Sequence, residues 1–224
     1  GASYGSHTGL VYYGGNEYNG QLLSDKHLAG LFCPSSPLKK WVLVGQTPGS
    51  GIMATTYVGI SGAVDHSSAI NRDGETYAHY GIGIVSKGGA LVSHDQRRFS
   101  DLTDGTSNVL VIGEQSDFCM AVGNVKTECR SDFGHGFAMG PGPANENRHW
   151  NLTTVRYQIN NKTYENVGVN PVYYGQNRPL QSAHTGGAMG VLGDGSVRFL
   201  RATMALQTLY NLCNRDDGQV VGDF

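Results

Sequence analysis

Glycine constrains the fold of this chain more than any other residue type, since it occupies 33 of the 224 positions. That share is about twice the usual ~7%, and no G-x-y period accompanies it. The missing period excludes a collagen triple helix, and a charged fraction of only 15% excludes a highly charged disordered chain. Glycine at this density is typical of turns between strands, so the composition predicts a β-rich domain.

The charge balance limits the kinds of partner. The chain has 16 Lys and Arg against 18 Asp and Glu, a net charge of −2, and its basic residues are no denser than Lys39-Lys40 and Arg97-Arg98. Nucleic acid is not an expected partner, because backbone binding needs a concentrated cationic face. No apolar run approaches the ~18 residues of a membrane helix, so membrane insertion of this sequence is not expected.

Strand and turn signals predict a single β-dominated α+β domain with an antiparallel sheet and two short helices. The continuously apolar run 109–112 is the predicted central strand. Two hairpins are expected, one around the turn 87–89 and one around Gly193-Asp194-Gly195. The other strands are predicted at 10–13, 41–44, 55–60, 151–159 (half-exposed) and 219–221. The helices are predicted within 22–32 and at 206–213, where Leu206, Leu209, Tyr210 and Cys213 share one face.

The four cysteines, Cys33, Cys119, Cys129 and Cys213, form no C-x-x-C pair and no spacing with histidine that resembles a zinc site. Disulfides are favoured instead. Cys119 and Cys129 flank a Gly123-Asn124 turn, which leaves Cys33 to pair with Cys213. Four buried, reduced thiols are the alternative. An even number of cysteines in a weakly charged chain favours an oxidising, extracellular compartment.

No catalytic residue is predicted, and the chain is not expected to be an enzyme. The histidines form no i,i+4 pair, and Gly59-Ile60-Ser61-Gly62 lacks the G-x-S-x-G spacing of a serine hydrolase. His184, Asp194 and Ser196 could in principle form a triad, but turn chemistry alone explains an Asp between two glycines. We expect His184 to bond backbone near the hairpin, so that its removal destabilises the fold.

The segment 101–108 is dense in oxygen-bearing side chains, which suits Ca²⁺ although the spacing is not an EF-hand. Asp101 and Asp104 are the candidate ligands. The alternative is that Asp104 and Ser107 bind backbone amides in a turn. The stretch Asp216-Asp217-Gly218 is a weaker candidate. Calcium is thus the one candidate cofactor, and the sequence predicts no required cofactor.

Aromatic residues offer a second kind of ligand. Trp41, Tyr173 and Tyr174 could stack on a polysaccharide, although sheet packing explains such residues equally well. Asn151 and Asn161 begin N-x-T sequences, which matter only in a host that glycosylates. No ligand-binding residue is assigned from these patterns.

Four segments of the sequence match the motifs of one known family. His184 is followed, after nine residues, by Asp194-Gly195. Asp104, Gly105 and Asn108 belong to a second block, 98–114, and the segments 32–35 and 218–224 match as well. Together, and in this order over about residues 28–224, they resemble the H-x9-D-G family of pilin-like proteins, which is found mainly in planctomycetes.

The resemblance implies an extracellular, pseudopilin-like domain at the cell surface. In the family this domain normally follows an apolar helix that is cleaved, methylated and packed into a filament spine, and we expect that helix to be missing here. The resemblance therefore predicts a structural subunit whose partners are copies of itself, assembled into a filament or similar array. The alternative is a secreted module that binds polysaccharide or another extracellular ligand.

The expected organisation has two parts. Residues 28–224 form the globular domain, with a loop-rich insertion at about 116–150. The Gly- and Tyr-rich residues 1–27 form an assembly arm that adds to the sheet edge of a neighbour.

Overall fold

The computed structural model describes residues 23, 25–43, 51–71, 83–121, 123–131, 136–137, 149–163, 177–219, 221–222 and 224. In these residues the fold is β-dominated α+β, as predicted. The strands are β1 (Trp41–Leu43), β2 (Gly51–Met53), β3 (Tyr57–Ala63), β4 (Ile70–Asn71), β5 (Ile84–Val85), β6 (Leu110–Glu114), β7 (Cys119–Ala121), β8 (Val125–Thr127), β9 (Leu152–Val155), β10 (Gly187–Leu192) and β11 (Val197–Arg201). Helix α1 covers Leu206–Cys213, and 3₁₀ helices lie at Ala29–Leu31, Phe99–Asp101 and Thr106–Asn108.

The main sheet has five strands in the order β11-β10-β6-β3-β9. Its neighbours are antiparallel except for β3 and β9, which run parallel. The strand predicted from the apolar run 109–112 is β6, at the centre of this sheet. The predicted hairpin around 193–195 is also confirmed, since β10 and β11 pair from Gly187–Arg201 to Val191–Val197.

The hydrophobic core lies between one face of this sheet and α1. Leu209, Leu212 and Cys213 of the helix are fully buried, and they belong to one cluster with Ile60 and Leu110 of the sheet. The helix predicted at 206–213 is therefore confirmed, together with its apolar face. Among the described residues, no helix is long and apolar enough to cross a membrane.

A second, smaller hairpin carries the disulfide. Strands β7 and β8 pair antiparallel, and Gly123 and Asn124 in the loop between them have positive φ angles of 82° and 59°. The predicted bond between Cys119 and Cys129 is present. This hairpin lies within the insertion predicted to be irregular, so that part of the insertion has regular structure.

The second predicted disulfide is wrong, because Cys33 and Cys213 are both free thiols. Cys213 is buried in the core cluster under α1. Cys33 lies instead beside His184, with 3.5 Å between its sulfur and Nε2. The predicted pair rested only on Cys33 and Cys213 being the two cysteines left over, and that argument carries no information about where each thiol lies in the fold.

The hairpin predicted around 87–89 is also wrong. Strand β5 pairs with β4, and Gly89 donates its N–H to the Ser61 carbonyl of β3 at 2.8 Å. A Cβ on Gly89 would lie 2.5 Å from the Gly62 nitrogen. The glycine pair therefore permits a close backbone crossing rather than a turn.

Three other elements differ from the prediction. Strand β9 is fully buried rather than half-exposed, because its threonines find partners: Thr153 Oγ1 donates to the Arg178 carbonyl at 2.8 Å. The segment 219–221 contains no strand in its described residues. In the first predicted helix, 22–32, Leu23 is helical, but residues 25–32 form only the 3₁₀ turn Ala29–Leu31. The strand at 10–13 and nearly all of the arm 1–27 lie outside the described residues.

Replacement of Gly113 by alanine should destabilise the core. The added Cβ would lie 2.5 Å from Leu180 Cδ2, a buried side chain, and overpacking of this kind costs about 1–3 kcal/mol. Urea denaturation of Gly113→Ala measures this loss. The matched control is Gly30→Ala, which adds a methyl group with no atom within 4 Å and should change stability by less than about 0.5 kcal/mol.

Buried His149 should make the fold sensitive to mild acid. Burial lowers the pKa of His149 from 6.5 to about 4, and its Nδ1 has no hydrogen-bond partner in the described part of the chain. Below about pH 6.5 the unfolded chain therefore binds a proton that the folded protein does not bind until about pH 4, so stability is lost as the pH falls through this window.

The expected loss is about 2 kcal/mol between about pH 7.5 and pH 5, measured by urea denaturation at both values. His149→Gln should show a correspondingly smaller difference, whereas His27→Gln, at an exposed histidine, should behave like the parent protein. An equal difference in all three proteins would contradict the assignment.

Candidate functional site

The face of the main sheet opposite α1, called here the outer face, is apolar over its central part. A groove of about 290 Å³ crosses it, lined by Leu31 of the 3₁₀ turn and by side chains of four strands. These strand residues are Tyr57, Ile112, Met189, Val191 and Val197. An apolar groove with a few convergent polar groups is the usual form of a ligand site.

Polar groups converge beside this groove at Cys33, Glu114 and His184. The distance from Cys33 Sγ to His184 Nε2 is 3.5 Å, and that from Glu114 Oε1 to the same nitrogen is 4.0 Å. Cys33 and Glu114 are buried, whereas the His184 side chain is 43% exposed. The cluster therefore has a buried floor and one side open to solvent.

Each of the three side chains is held by a separate part of the fold. Cys33 follows the 3₁₀ turn and donates its N–H to Thr56 Oγ1 at 2.6 Å. Glu114 ends β6, and its carboxylate accepts hydrogen bonds from the Ser116 hydroxyl at 2.6 Å and the Met189 N–H at 2.8 Å. His184 lies in the turn before β10, and its backbone N–H donates to Ser182 Oγ at 3.0 Å.

Burial raises the pKa of the Cys33 thiol, and the nearby negative charge of Glu114 raises it further. Burial also raises the pKa of Tyr57 in the groove, with added effects of Cys33 and Glu114. Cys33 is thus a neutral thiol at physiological pH, whereas a nucleophilic cysteine needs a lowered pKa.

The geometry also differs from that of a nucleophilic relay. In a Cys-His-carboxylate triad the thiol and the carboxylate contact opposite nitrogens of the imidazole. Here Cys33 Sγ and Glu114 Oε1 both approach Nε2. The three donor atoms surround a common point instead, and they lie within 4.8 Å of one another.

The structure separates the residues of the H-x9-D-G motif by role. His184 joins the cluster, and the expectation that its imidazole bonds backbone near the hairpin is wrong. Asp194 accepts the Ser196 N–H at 2.9 Å, a bond that lowers the pKa of its carboxyl. Gly195 has a φ of 83°. Asp194 and Gly195 therefore serve the β10–β11 turn, as turn chemistry predicted.

The second motif block holds the C-terminal segment in place. The two carboxylate oxygens of Asp104 accept the N–H groups of Asp217 and Gly218, each at 3.0 Å. Asn108 Nδ2 donates to the Asp104 carbonyl at 2.8 Å, and Gly105 has a φ of 95°. Asp104 thus binds backbone amides, although those of a distant segment rather than of its own turn.

The candidate calcium ligands are engaged by other groups of the protein. Asp101 accepts the N–H of Arg98 at 2.9 Å, and both oxygens of Asp104 are engaged as described. Asp216 contacts His66 and Arg215, each at 2.9 Å. In the part of the chain that the structure describes, the sole group of three metal-ligating side chains is Cys33, Glu114 and His184.

Two other sequence candidates can be placed. Trp41 lies on β1 and is 37% exposed, while Tyr173 and Tyr174 are outside the described residues. Asn151 Nδ2 donates to the Gly136 carbonyl at 3.0 Å, so the amide of this glycosylation sequence is engaged within the fold. Asn161 is partly exposed.

Sequence patterns missed the cluster because Cys33 and His184 are 151 residues apart. A local signal did exist, since each of the three residues lies in or next to one of the four segments on which the predicted family resemblance rests. The sequence therefore indicated the cluster in one way: three separate motif segments carry a Cys, a Glu and a His, which are residue types that bind metals or react.

Comparison with known proteins assigns the chain to a sequence family. The sequence model of a family described as "Protein of unknown function (DUF1559)", SBP_bac_10, matches residues 9–207. This match covers most of the chain, and the chain belongs to this family. No curated protein and no solved structure matches it significantly.

The roles of His184 and Glu114 in stability should differ. With a metal chelator present, His184→Ala should change the free energy of unfolding by less than about 0.5 kcal/mol, because the imidazole is partly exposed. Glu114→Gln should cost about 1–3 kcal/mol, because a buried hydroxyl and a backbone N–H then share one acceptor oxygen. Urea denaturation measures both, and equal losses would show that the imidazole is structural.

Proposed function

We propose that this chain is an extracellular, pilin-like structural subunit that assembles with copies of itself through strand β11. Three features support the proposal: the resemblance of the sequence to the pilin-like family, a disulfide typical of oxidising compartments, and an exposed sheet edge. The edge carries most of the argument, because an unpaired strand is a ready template for another chain.

The two edges of the main sheet differ sharply. Strand β9 at one edge is buried along its length. Strand β11 at the other edge is exposed at four of its five residues, including Val197 at 58% and Phe199 at 42%. No other strand in the described part of the chain pairs with the outer side of β11.

The backbone groups on this edge point outward at three positions. Ala202 donates its N–H to Gly186 at 2.8 Å, on the side of β10. Because successive residues of an antiparallel ladder face alternate sides, Val197, Phe199 and Arg201 direct their N–H and carbonyl groups away from β10. A second copy of β11 could bond to all three residues.

The sequence of β11 suits antiparallel pairing about a two-fold axis at Phe199. In that register Phe199 faces its counterpart, Val197 faces Arg201, and Arg198 faces Leu200. No two like charges are opposite each other, and the aromatic pair adds to cross-strand packing. Such a contact is isologous, as in most dimers, and the groove of the outer face continues from it.

Polysaccharide binding has less support. Of the three aromatic residues suggested for sugar binding, the structure describes Trp41. It lies on the two-stranded sheet β1–β2, which is separate from the main sheet. A row of exposed rings on one surface, which sugar stacking requires, is not seen in the described residues.

Substitution of Phe199 by lysine tests the proposed interface. The concentrated parent protein should associate, as seen by sedimentation velocity and negative-stain microscopy. Phe199→Lys should weaken association at least tenfold, because it removes the aromatic pair and brings two new positive charges together beside Arg198 and Arg201.

Phe99→Lys is the matched control, since it makes the same change at a ring that is 75% exposed and lies outside the sheet. It should associate like the parent protein. A parent protein that stays monomeric at every concentration, or equal behaviour of the two variants, would refute assembly through β11.

A further inference from the structure

We propose that Cys33, Glu114 and His184 form a binding site for a divalent transition-metal ion of the zinc type, with a fourth coordination position open to solvent. This site goes beyond the proposed structural function and does not depend on it. The inference rests on the positions, chemistry and supporting contacts of the three side chains.

The distances suit a tetrahedral ion. Zinc binds cysteine sulfur at about 2.3 Å and histidine nitrogen at about 2.0–2.1 Å, which places the two donor atoms about 3.5 Å apart. Cys33 Sγ and His184 Nε2 are separated by 3.5 Å. Glu114 Oε1 is 4.0 Å from the same nitrogen, and a shift of about 0.7 Å by the partly exposed imidazole would bring this nitrogen–oxygen pair to the spacing of two tetrahedral ligands.

The charge of the cluster favours a divalent cation. Glu114 is fully buried, and in the described residues its carboxylate contacts a hydroxyl, a backbone N–H and the imidazole, but no lysine or arginine. A buried carboxylate without a cation is costly. A Cys33 thiolate and the Glu114 carboxylate together carry two negative charges, so a divalent ion with neutral His184 leaves the site uncharged.

The ligands are held by neighbours, as metal ligands usually are. Ser116 and Met189 fix the Glu114 carboxylate through its two oxygens. Thr56 fixes the backbone of Cys33. The thiol and imidazole exclude a preference for Ca²⁺ or Mg²⁺, which select oxygen ligands, and favour Zn²⁺ among the metals that bind sulfur and nitrogen.

Bound metal would join three segments that are far apart in sequence. The loop carrying Cys33, the end of β6 and the turn before β10 would be linked by one ion. Because the folded arrangement of ligands does not exist in the unfolded chain, binding would add to the stability of the fold.

Metal binding to the protein with its Cys119–Cys129 disulfide intact and Cys33 as a free thiol tests the site. Zn²⁺ affinity is measured by competition with a chromophoric chelator, and Co²⁺ is used as a spectroscopic probe of thiolate ligation. The parent protein should bind one Zn²⁺ per chain at this site, and its Co²⁺ form should show a thiolate-to-metal charge-transfer band.

Cys33→Ala should abolish this band and weaken Zn²⁺ binding more than about 100-fold, since loss of an outer contact to a ligand alone costs about 10–100-fold. The matched control is Cys213→Ala, which removes the other free thiol and should retain both the band and the affinity. His184→Ala, at a partly exposed side chain, gives a second test if Cys33→Ala does not fold.

Two results would overturn the proposal. One is a parent protein, with the Cys119–Cys129 disulfide intact and Cys33 free, that binds no Zn²⁺. The other is a charge-transfer band and an affinity that persist in Cys33→Ala or His184→Ala, which would place the metal elsewhere. Loss of binding in both variants with retention in Cys213→Ala supports the site.

Discussion

The centre of this fold depends on two glycines that face each other on neighbouring strands, because buried leucine side chains pack directly against them. Gly113 of β6 and Gly190 of β10 are register partners. A Cβ at either position would collide with a buried leucine, Leu180 in one case and Leu110 in the other. Because side chains alternate along a strand, this register also fixes Glu114, the next residue of β6, on the outer face. The core and the polar cluster thus follow from one strand alignment.

Local sequence signals predicted those parts of the fold that depend on neighbours in the chain. The β10–β11 turn follows from Gly193-Asp194-Gly195, α1 follows from the spacing of its leucines, and the Cys119–Cys129 bond follows from a turn between the two cysteines. In each case the residues that carry the signal also make the contact. The central position of β6 was predictable for a related reason, since a continuously apolar run must be covered by neighbours.

Predictions failed where the same residue type serves two purposes. Gly88 and Gly89 resemble a turn, but they allow a segment to cross β3 at close range. The threonines of β9 resemble an exposed face, but they are buried and bonded. The pairing of Cys33 failed because its partners, Glu114 and His184, come together only when the sheet has formed. Proximity between segments 151 residues apart leaves no trace in local periodicity.

The parallel pairing of β3 with β9 has a consequence for how the chain must fold. Ser61 and Thr153, which bond across these strands, are 92 residues apart, so this buried strand alignment closes a very long loop. Topologies with such distant contacts fold slowly. During synthesis, the apolar strand β3 emerges well before its two neighbours in the sheet. The nascent chain therefore exposes an unpaired, aggregation-prone strand edge for many seconds. This exposure favours binding by chaperones until β9 has been synthesised.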